Sequence, residues 1–329
     1  MIHQRLLNKL SNITSGTYQL SDFIIADAKD ADMAFGIPAT GPATGDTSGL
    51  RFKTRADYLA NMVAMAESGL IDILLTSASS AELLSDRALF KNSDVTPAIR
   101  LNDTTDIWSA RGSSYRSSVS QPFATIDLPS VKPLCGLGLY SVTFYNDIDA
   151  DLRTLQHYRD FRLQARETGM HHFLEVFNPA YDIGLKDADL GDYVNDMILK
   201  TLSGVTRADA PLFLKMQFNG ARAMSDLAAY DPENLVVGIL GGAAGTTRDT
   251  FELAKQAEQA GARVALFGRK INLAEAPVEL VRLMRAVIED QLNSEQAVKD
   301  YHRYLEDQNI NPIRTLKKDT QITDPVLQS

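Results

Sequence analysis

Residues 235–269 read LVVGILGGAAGTTRDTFELAKQAEQAGARVALFGR and hold one complete strand–turn–helix–strand unit. Leu235 to Leu240 is a short, almost wholly apolar run, as expected of a strand buried on both faces. Gly241-Gly242 ends it. Thr246, with Asp249 three residues on, has the form of a capping box, and Arg248 to Ala260 follows with apolar residues at helical spacing. Gly261 stands where a helix C-terminus takes a left-handed residue. Val264 to Phe267 is a second apolar run, closed by Gly268-Arg269.

The same unit recurs outward along the chain. Phe23 to Ala28, Ile71 to Ser77, Thr96 to Leu101, Leu139 to Tyr145, His172 to Phe177 and Leu212 to Phe218 complete a set of eight candidate strands. Ala56 to Ser68, Asp149 to Thr168, Tyr193 to Leu202, Ala221 to Ala229 and Val278 to Leu292 carry further helical patterns, and Gly69 and Gly169 stop helices as Gly261 does. Eight strands, most followed by a helix, is the count of a (β/α)8 TIM barrel; a doubly wound sheet more often has five or six. The barrel is expected over residues 21–294, with a helical cap at 1–20 plugging its bottom. A C-terminal helix and tail would occupy 295–329, either exposed or draped over a neighbour. No clean third helix can be read. Asn102 to Gln121 is instead a polar loop rich in Ser and Arg (Arg111, Ser113, Ser114, Arg116, Ser117, Ser118), long enough to belong to an active site.

Composition narrows the function. The chain has 329 residues, 44% hydrophobic and 23% charged, which is ordinary globular make-up. Its net charge of −9 repels phosphate backbones, so no nucleic-acid partner is expected. No apolar run reaches the ~18 residues of a membrane span, and the amphipathic N-terminus lacks a signal-type apolar core; a cytoplasmic protein with no membrane partner is expected. The single cysteine, Cys135, excludes an intrachain disulfide and is expected to be buried rather than catalytic. Of the five histidines only His171 and His172 lie on a strand, and neighbours on a strand point to opposite faces, so no metal site is expected. The glycine turns match neither GxGxxG nor GxxxxGK[ST], and no cofactor is expected.

Barrel active sites lie at the C-terminal ends of strands, so charges inside apolar strands draw notice. Lys215, in Ala-Pro-Leu-Phe-Leu-Lys215-Met-Gln-Phe, is foremost. Loss of water disfavours an ammonium, and the neutral amine is the form that attacks a ketone. Phe213, Lys215 and Gln217 share one face, with Gln217 nearest the rim. Glu175, on the preceding strand, would be costly to bury unless paired, and Lys215 is the partner at hand. Asp27 and Lys29 share parity at the end of the first strand and are expected at the barrel mouth, although Lys29 and Asp30 also read as solvated turn charges. Arg100 and Asn102 share a face suited to a polar substrate. Tyr145 has a hydroxyl suited to proton transfer. Gly241, Gly242, Gly268 and Arg269 fall after the seventh and eighth strands, the recurrent phosphate cradle of barrels.

With these residues placed, the sequence resembles the class I (Schiff-base) aldolase superfamily of deoxyribose-phosphate, archaeal fructose-bisphosphate and tagatose-bisphosphate aldolases. The resemblance spans most of residues 20–290. Ile-Ile-Ala-Asp27 resembles the family's first strand, which ends in a catalytic aspartate. Thr-Phe-Tyr145-Asn-Asp-Ile-Asp149 is similar to a tyrosine-bearing fourth strand with an acidic helix start. Phe-Leu-Glu175 and Phe-Leu-Lys215 resemble the glutamate and Schiff-base strands. Leu-Gly241-Gly242-Ala and Phe-Gly268-Arg269-Lys-Ile-Asn resemble the two phosphate turns. Two departures stand out: Ser141 or its neighbours occupy the place of an inward fourth-strand lysine, and Ala28 follows Asp27 where the archaeal enzymes have histidine.

The resemblance implies a carbon–carbon lyase acting on a phosphorylated ketose. Lys215 would be the nucleophile, with Glu175, Asp27 and alternatively Tyr145 moving protons. It also implies a homo-oligomer. Two alternatives use the same barrel: a phosphosugar isomerase or epimerase with Glu175 as base and no covalent step, and a non-catalytic sugar-phosphate-binding barrel.

Overall fold

Strands form at the apolar runs, with ends displaced by a few residues. In the computed structural model, which describes residues 2–43, 51–243 and 245–328, they are β1 (Ile24–Lys29), β2 (Ile73–Thr76), β3 (Thr96–Arg100), β4 (Leu137–Thr143), β5 (His171–Phe177), β6 (Leu214–Met216), β7 (Gly238–Leu240) and β8 (Val264–Phe267). Each pairs with the next in parallel and β8 returns to β1, which closes a (β/α)8 barrel. Helices return over the outside at Arg55–Glu67, Ala78–Asp86, Ile148–Thr168, Asp187–Leu202, Ala221–Tyr230, Thr247–Gln259 and Pro277–Ile288. Ala78–Asp86 carries no signal in the sequence reading because its Ser-rich start also suits a turn. After β3 a single turn, Leu128–Val131, stands in for a full helix.

Local chemistry explains the boundaries. Thr246 Oγ1 accepts from Asp249 N at 3.0 Å and Asp249 Oδ2 accepts from Thr246 N at 2.9 Å, the reciprocal capping box expected there. Gly69, Gly169 and Gly261 take φ of 69°, 67° and 99°, the left-handed conformation that ends each helix without a Cβ clash.

Strand alternation divides the core in two. Ile24, Ala26, Ile73, Leu75, Ala98 and Leu139 point inward with Phe173, Phe213, Val264 and Leu266, and form the barrel interior. Ile25, Leu74, Ile99, Val142, Leu174 and Met216 point outward into the helix layer. The inner cluster is closed below by Leu6, Leu10 and Ile13 of the helix Gln4–Thr14. Lys9 of that helix bonds Phe23 O at 3.1 Å and Asp72 at 3.0 Å, locking it to the strand N-termini. At the other end of the sequence, Thr323 and Asp324 donate backbone N–H groups to Asp249, and Leu327 is buried. The tail is therefore draped over its own chain. No helix of the described residues is long and apolar enough to cross a membrane.

His172 belongs to the outer face of β5, where its Nε2 lies 2.9 Å from Tyr158 Oη. Burial, reinforced by Arg162, pushes its pKa down to about 3. The unfolded chain takes up this proton below about pH 6.5 and the folded chain does not, so stability falls on acidification by up to about 1.4 kcal/mol per pH unit. His172→Gln is expected to lose about 2 kcal/mol less than the parent between about pH 6.5 and about pH 5, read from urea midpoints. Equal losses would show that His172 does not carry this dependence.

Candidate active site

Two positions beyond the inward residues Ala98, Phe173 and Phe213, the same faces of β3, β5 and β6 present Arg100, Glu175 and Lys215. Their side chains meet across the barrel. Lys215 Nζ lies 2.6 Å from Glu175 Oε1. Glu175 Oε2 accepts from Arg100 Nη2 at 3.0 Å and from Ser141 Oγ at 2.7 Å. Arg100 further donates from Nη1 to Ser141 Oγ at 2.7 Å and from Nε to Asp30 Oδ2 at 2.5 Å. Two cations and two carboxylates thus cancel in a layer where Glu175 is 1% exposed and Lys215 5%. Burial alone would raise the Asp30 pKa, but Arg100 and then Lys215 hold it below the usual carboxylate range. Asp30 is therefore ionised at neutral pH. The Arg100 guanidinium fills the place beside Ser141 that a longer fourth-strand side chain would need.

This layer floors a cavity of about 420 Å³ at the C-terminal end of the barrel. Its walls include Gln217, Phe35 and Phe177, and the Gly241-Gly242 and Gly268-Arg269 turns. Gly242 holds φ of 63°, and a Cβ on Gly268 would come within 3.0 Å of Ala28 O, so both turns bring bare backbone to the cavity. The Thr247–Gln259 helix has less to offer an anion. Thr247 N already donates to Asp319 Oδ1 at 2.8 Å and Asp249 N to the Thr246 cap. A larger groove of about 570 Å³ runs beside Arg5, Arg87 and Asp94, away from the strand C-termini.

Four sequence-based placements need correction. Asp27 and Lys29 do not face the mouth: on β1 it is Ala26 and Ala28 that turn inward, with Asp30 next on that side. Asp27 and Lys29 face the helix layer, where Lys29 Nζ lies 3.3 Å from Asp27 and 3.1 Å from Asn272 Oδ1. Burial pushes Asp27 up and Lys29 down, and neither is exposed above 1%. An acid and a base two apart neutralise each other beneath helices as readily as at a mouth, and their spacing does not tell the two apart. Asp30 occupies the site instead. Asn102 spends both ends of its amide on Ser141, donating to its carbonyl at 2.8 Å and accepting from its N–H at 2.6 Å, and so staples β3 to β4. Tyr145 lies past the end of β4 with its ring 5.2 Å from that of Tyr181, outside the cavity lining. Among the described residues no three His, Cys, Asp or Glu side chains are placed to hold a metal ion.

The loop after β3 is ordered by its neck. Asp103 and Thr104 pair antiparallel with Phe123 and Pro122, and Trp108 packs edge-on against Tyr115 and Phe123 at 5.1 and 4.7 Å. It lines the cavity with Ile107, Ser109 and Arg116.

No family model matches the sequence, and no curated protein matches it. Solved structures match by fold. A Schiff-base-forming fructose-1,6-bisphosphate aldolase superposes with a TM-score of 0.60 at 14% identity, over 86% of this chain and 99% of that one. An archaeal fructose 1,6-bisphosphate aldolase gives 0.61 at 13%, over 87% and 99%. Fructose-bisphosphate aldolase from Slackia heliotrinireducens gives 0.64 at 13%, over 92% and 91%. The chain has the fold of the Schiff-base aldolases. Within that fold, Asp30 and Arg116 carried only weak sequence signals: a charge just past a strand, and a basic residue in an overlong polar loop. Arg100's role as the hub needed coordinates, since nothing in its neighbours along the chain points to β4 or β5.

Proposed function

We propose that the protein is a class I aldolase acting on a phosphorylated ketose. The observation that carries this reading is the Lys215 amine, buried at the cavity floor and 2.6 Å from a carboxylate. Glu175 takes the proton from Lys215, and the freed lone pair attacks the ketone carbon to form a carbinolamine. The same carboxyl returns a proton to the carbinolamine hydroxyl, which leaves as water, and an iminium forms. Glu175, ionised again once water has left, takes the proton of the hydroxyl on the carbon β to the iminium. The bond between the α and β carbons breaks with its electron pair passing into the iminium; an aldehyde leaves and an enamine stays on Lys215. Return of that proton to the enamine carbon and attack of water on the iminium release the ketone and restore the amine. Arg100 and Ser141 hold Glu175 in line throughout. Asp30 takes the position first given to Asp27, within reach of a substrate hydroxyl at the floor. The Gly241-Gly242 and Gly268-Arg269 turns receive the phosphate.

Borohydride reduction of the intact protein with dihydroxyacetone phosphate tests this. A mass gain confined to the peptide containing Lys215 is the expected result. A gain on another lysine, or none with every ketose phosphate tried, overturns it; turnover without any adduct favours the isomerase or epimerase alternative.

A further inference from the structure

The cavity is electrically uneven. On its floor Asp30 and Glu175 are spent on Arg100 and Lys215, so the four charges cancel. At its rim stand Arg116 and Arg269, and neither has a hydrogen-bonding or ion-pairing partner among the described residues. Both rest on one short segment after β1. The Arg269 guanidinium lies over the Phe35 ring at 5.7 Å, and Ser109, on the loop that carries Arg116, donates its backbone N–H to Ala34 O at 2.9 Å. Both side chains are exposed, yet partial desolvation at the rim and then the neighbouring Arg116 disfavour the Arg269 charge. Two guanidiniums lining one cavity with no counter-charge on them among the described residues repel each other, and an anion bound between them would relieve this.

We propose that Arg116 is a specificity-determining residue. It forms, with Arg269, an oxyanion clamp that selects substrates bearing a phosphate at the rim while their neutral carbonyl lies at the floor. This rests on the reading of the site as one for phosphorylated ketoses and adds to it the loop after β3. The two-guanidinium fork suits the several oxygens of a phosphate, whereas a neutral sugar would leave the rim charge uncompensated. The neck pairing and the Trp108 packing hold Arg116 in place before any ligand arrives, which limits the entropy lost on binding.

The test is calorimetric titration of the intact protein with inorganic phosphate, so it does not depend on turnover. Arg116→Ala is expected to weaken phosphate binding by about tenfold, the loss of one charge-assisted hydrogen bond. Arg116→Lys should recover part of this. Arg111→Ala should match the parent, because Arg111 lies on the same loop but sits over Phe52, at 5.8 Å, and not in the cavity lining. In borohydride trapping, half-saturation by dihydroxyacetone phosphate should rise by a similar factor in Arg116→Ala, with dihydroxyacetone unaffected. Phosphate binding equal in Arg116→Ala and parent overturns the clamp and leaves the phosphoketose reading standing. A parent protein that binds no phosphate overturns both.

Discussion

Lys215→Met is expected to abolish carbon–carbon bond cleavage, lowering kcat by roughly four orders of magnitude or more while leaving phosphate affinity unchanged. Methionine keeps the length and apolar stem of the side chain but offers no lone pair that can form an iminium. Without that electron sink the bond-breaking step has no covalent route, and the remaining groups supply only binding and proton transfer. The fold should tolerate the change. Glu175 keeps Arg100 at 3.0 Å and Ser141 at 2.7 Å, so its carboxylate retains a cation, shared with Asp30, and a hydroxyl donor. Stability and phosphate titration therefore separate loss of chemistry from loss of structure. A variant that still turns over ketose phosphate within about tenfold of the parent would remove Lys215 from the reaction.

Arg100→Met is expected to have the largest effect on stability, about 3–5 kcal/mol, because it leaves the buried Asp30 carboxylate without its paired cation and two carboxylates to share Lys215. Arg100 is 4% exposed and bonds Asp30, Ser141 and Glu175 at once. In the parent, Asp30 is held below the carboxylate range, so its contribution is present at neutral pH and is lost only as pH falls through that depressed value. In the variant burial dominates and Asp30 takes up a proton at higher pH, which relieves the penalty on acidification. The gap between parent and variant should be widest near about pH 7 and narrower near about pH 5, by urea unfolding at each. A loss below about 1 kcal/mol, or a gap that does not narrow, would refute the hub role of Arg100.

Lys215 and Glu175 were legible because a lone charge in an otherwise apolar strand has few ways to be accommodated, and alternation with Phe213 and Phe173 places both on the inner face. The two glycine turns were legible because their positions follow from the strand count. Asp27 and Lys29 misled for the converse reason. They compensate each other, so the cost of burial that marks a site was absent, and β1 turns this pair beneath the helices. Asn102 was read as a ligand contact from its parity, yet its amide matches a strand edge equally well.

Apolar periodicity, capping pairs and glycine stops are local properties. Local backbone preference and the burial of one face act within a few residues, and those features alone specify eight strands, most of their returning helices and a barrel. Which charges share a layer depends on the order in which strands close and on the side each turns inward, and those are settled by packing between residues far apart in the chain. The joining of Arg100 to Asp30, Ser141 and Glu175, the bringing of Arg116 and Arg269 to one cavity and the draping of the tail over Asp249 are of that second kind. Each spans loops of many residues and forms only once the barrel has closed.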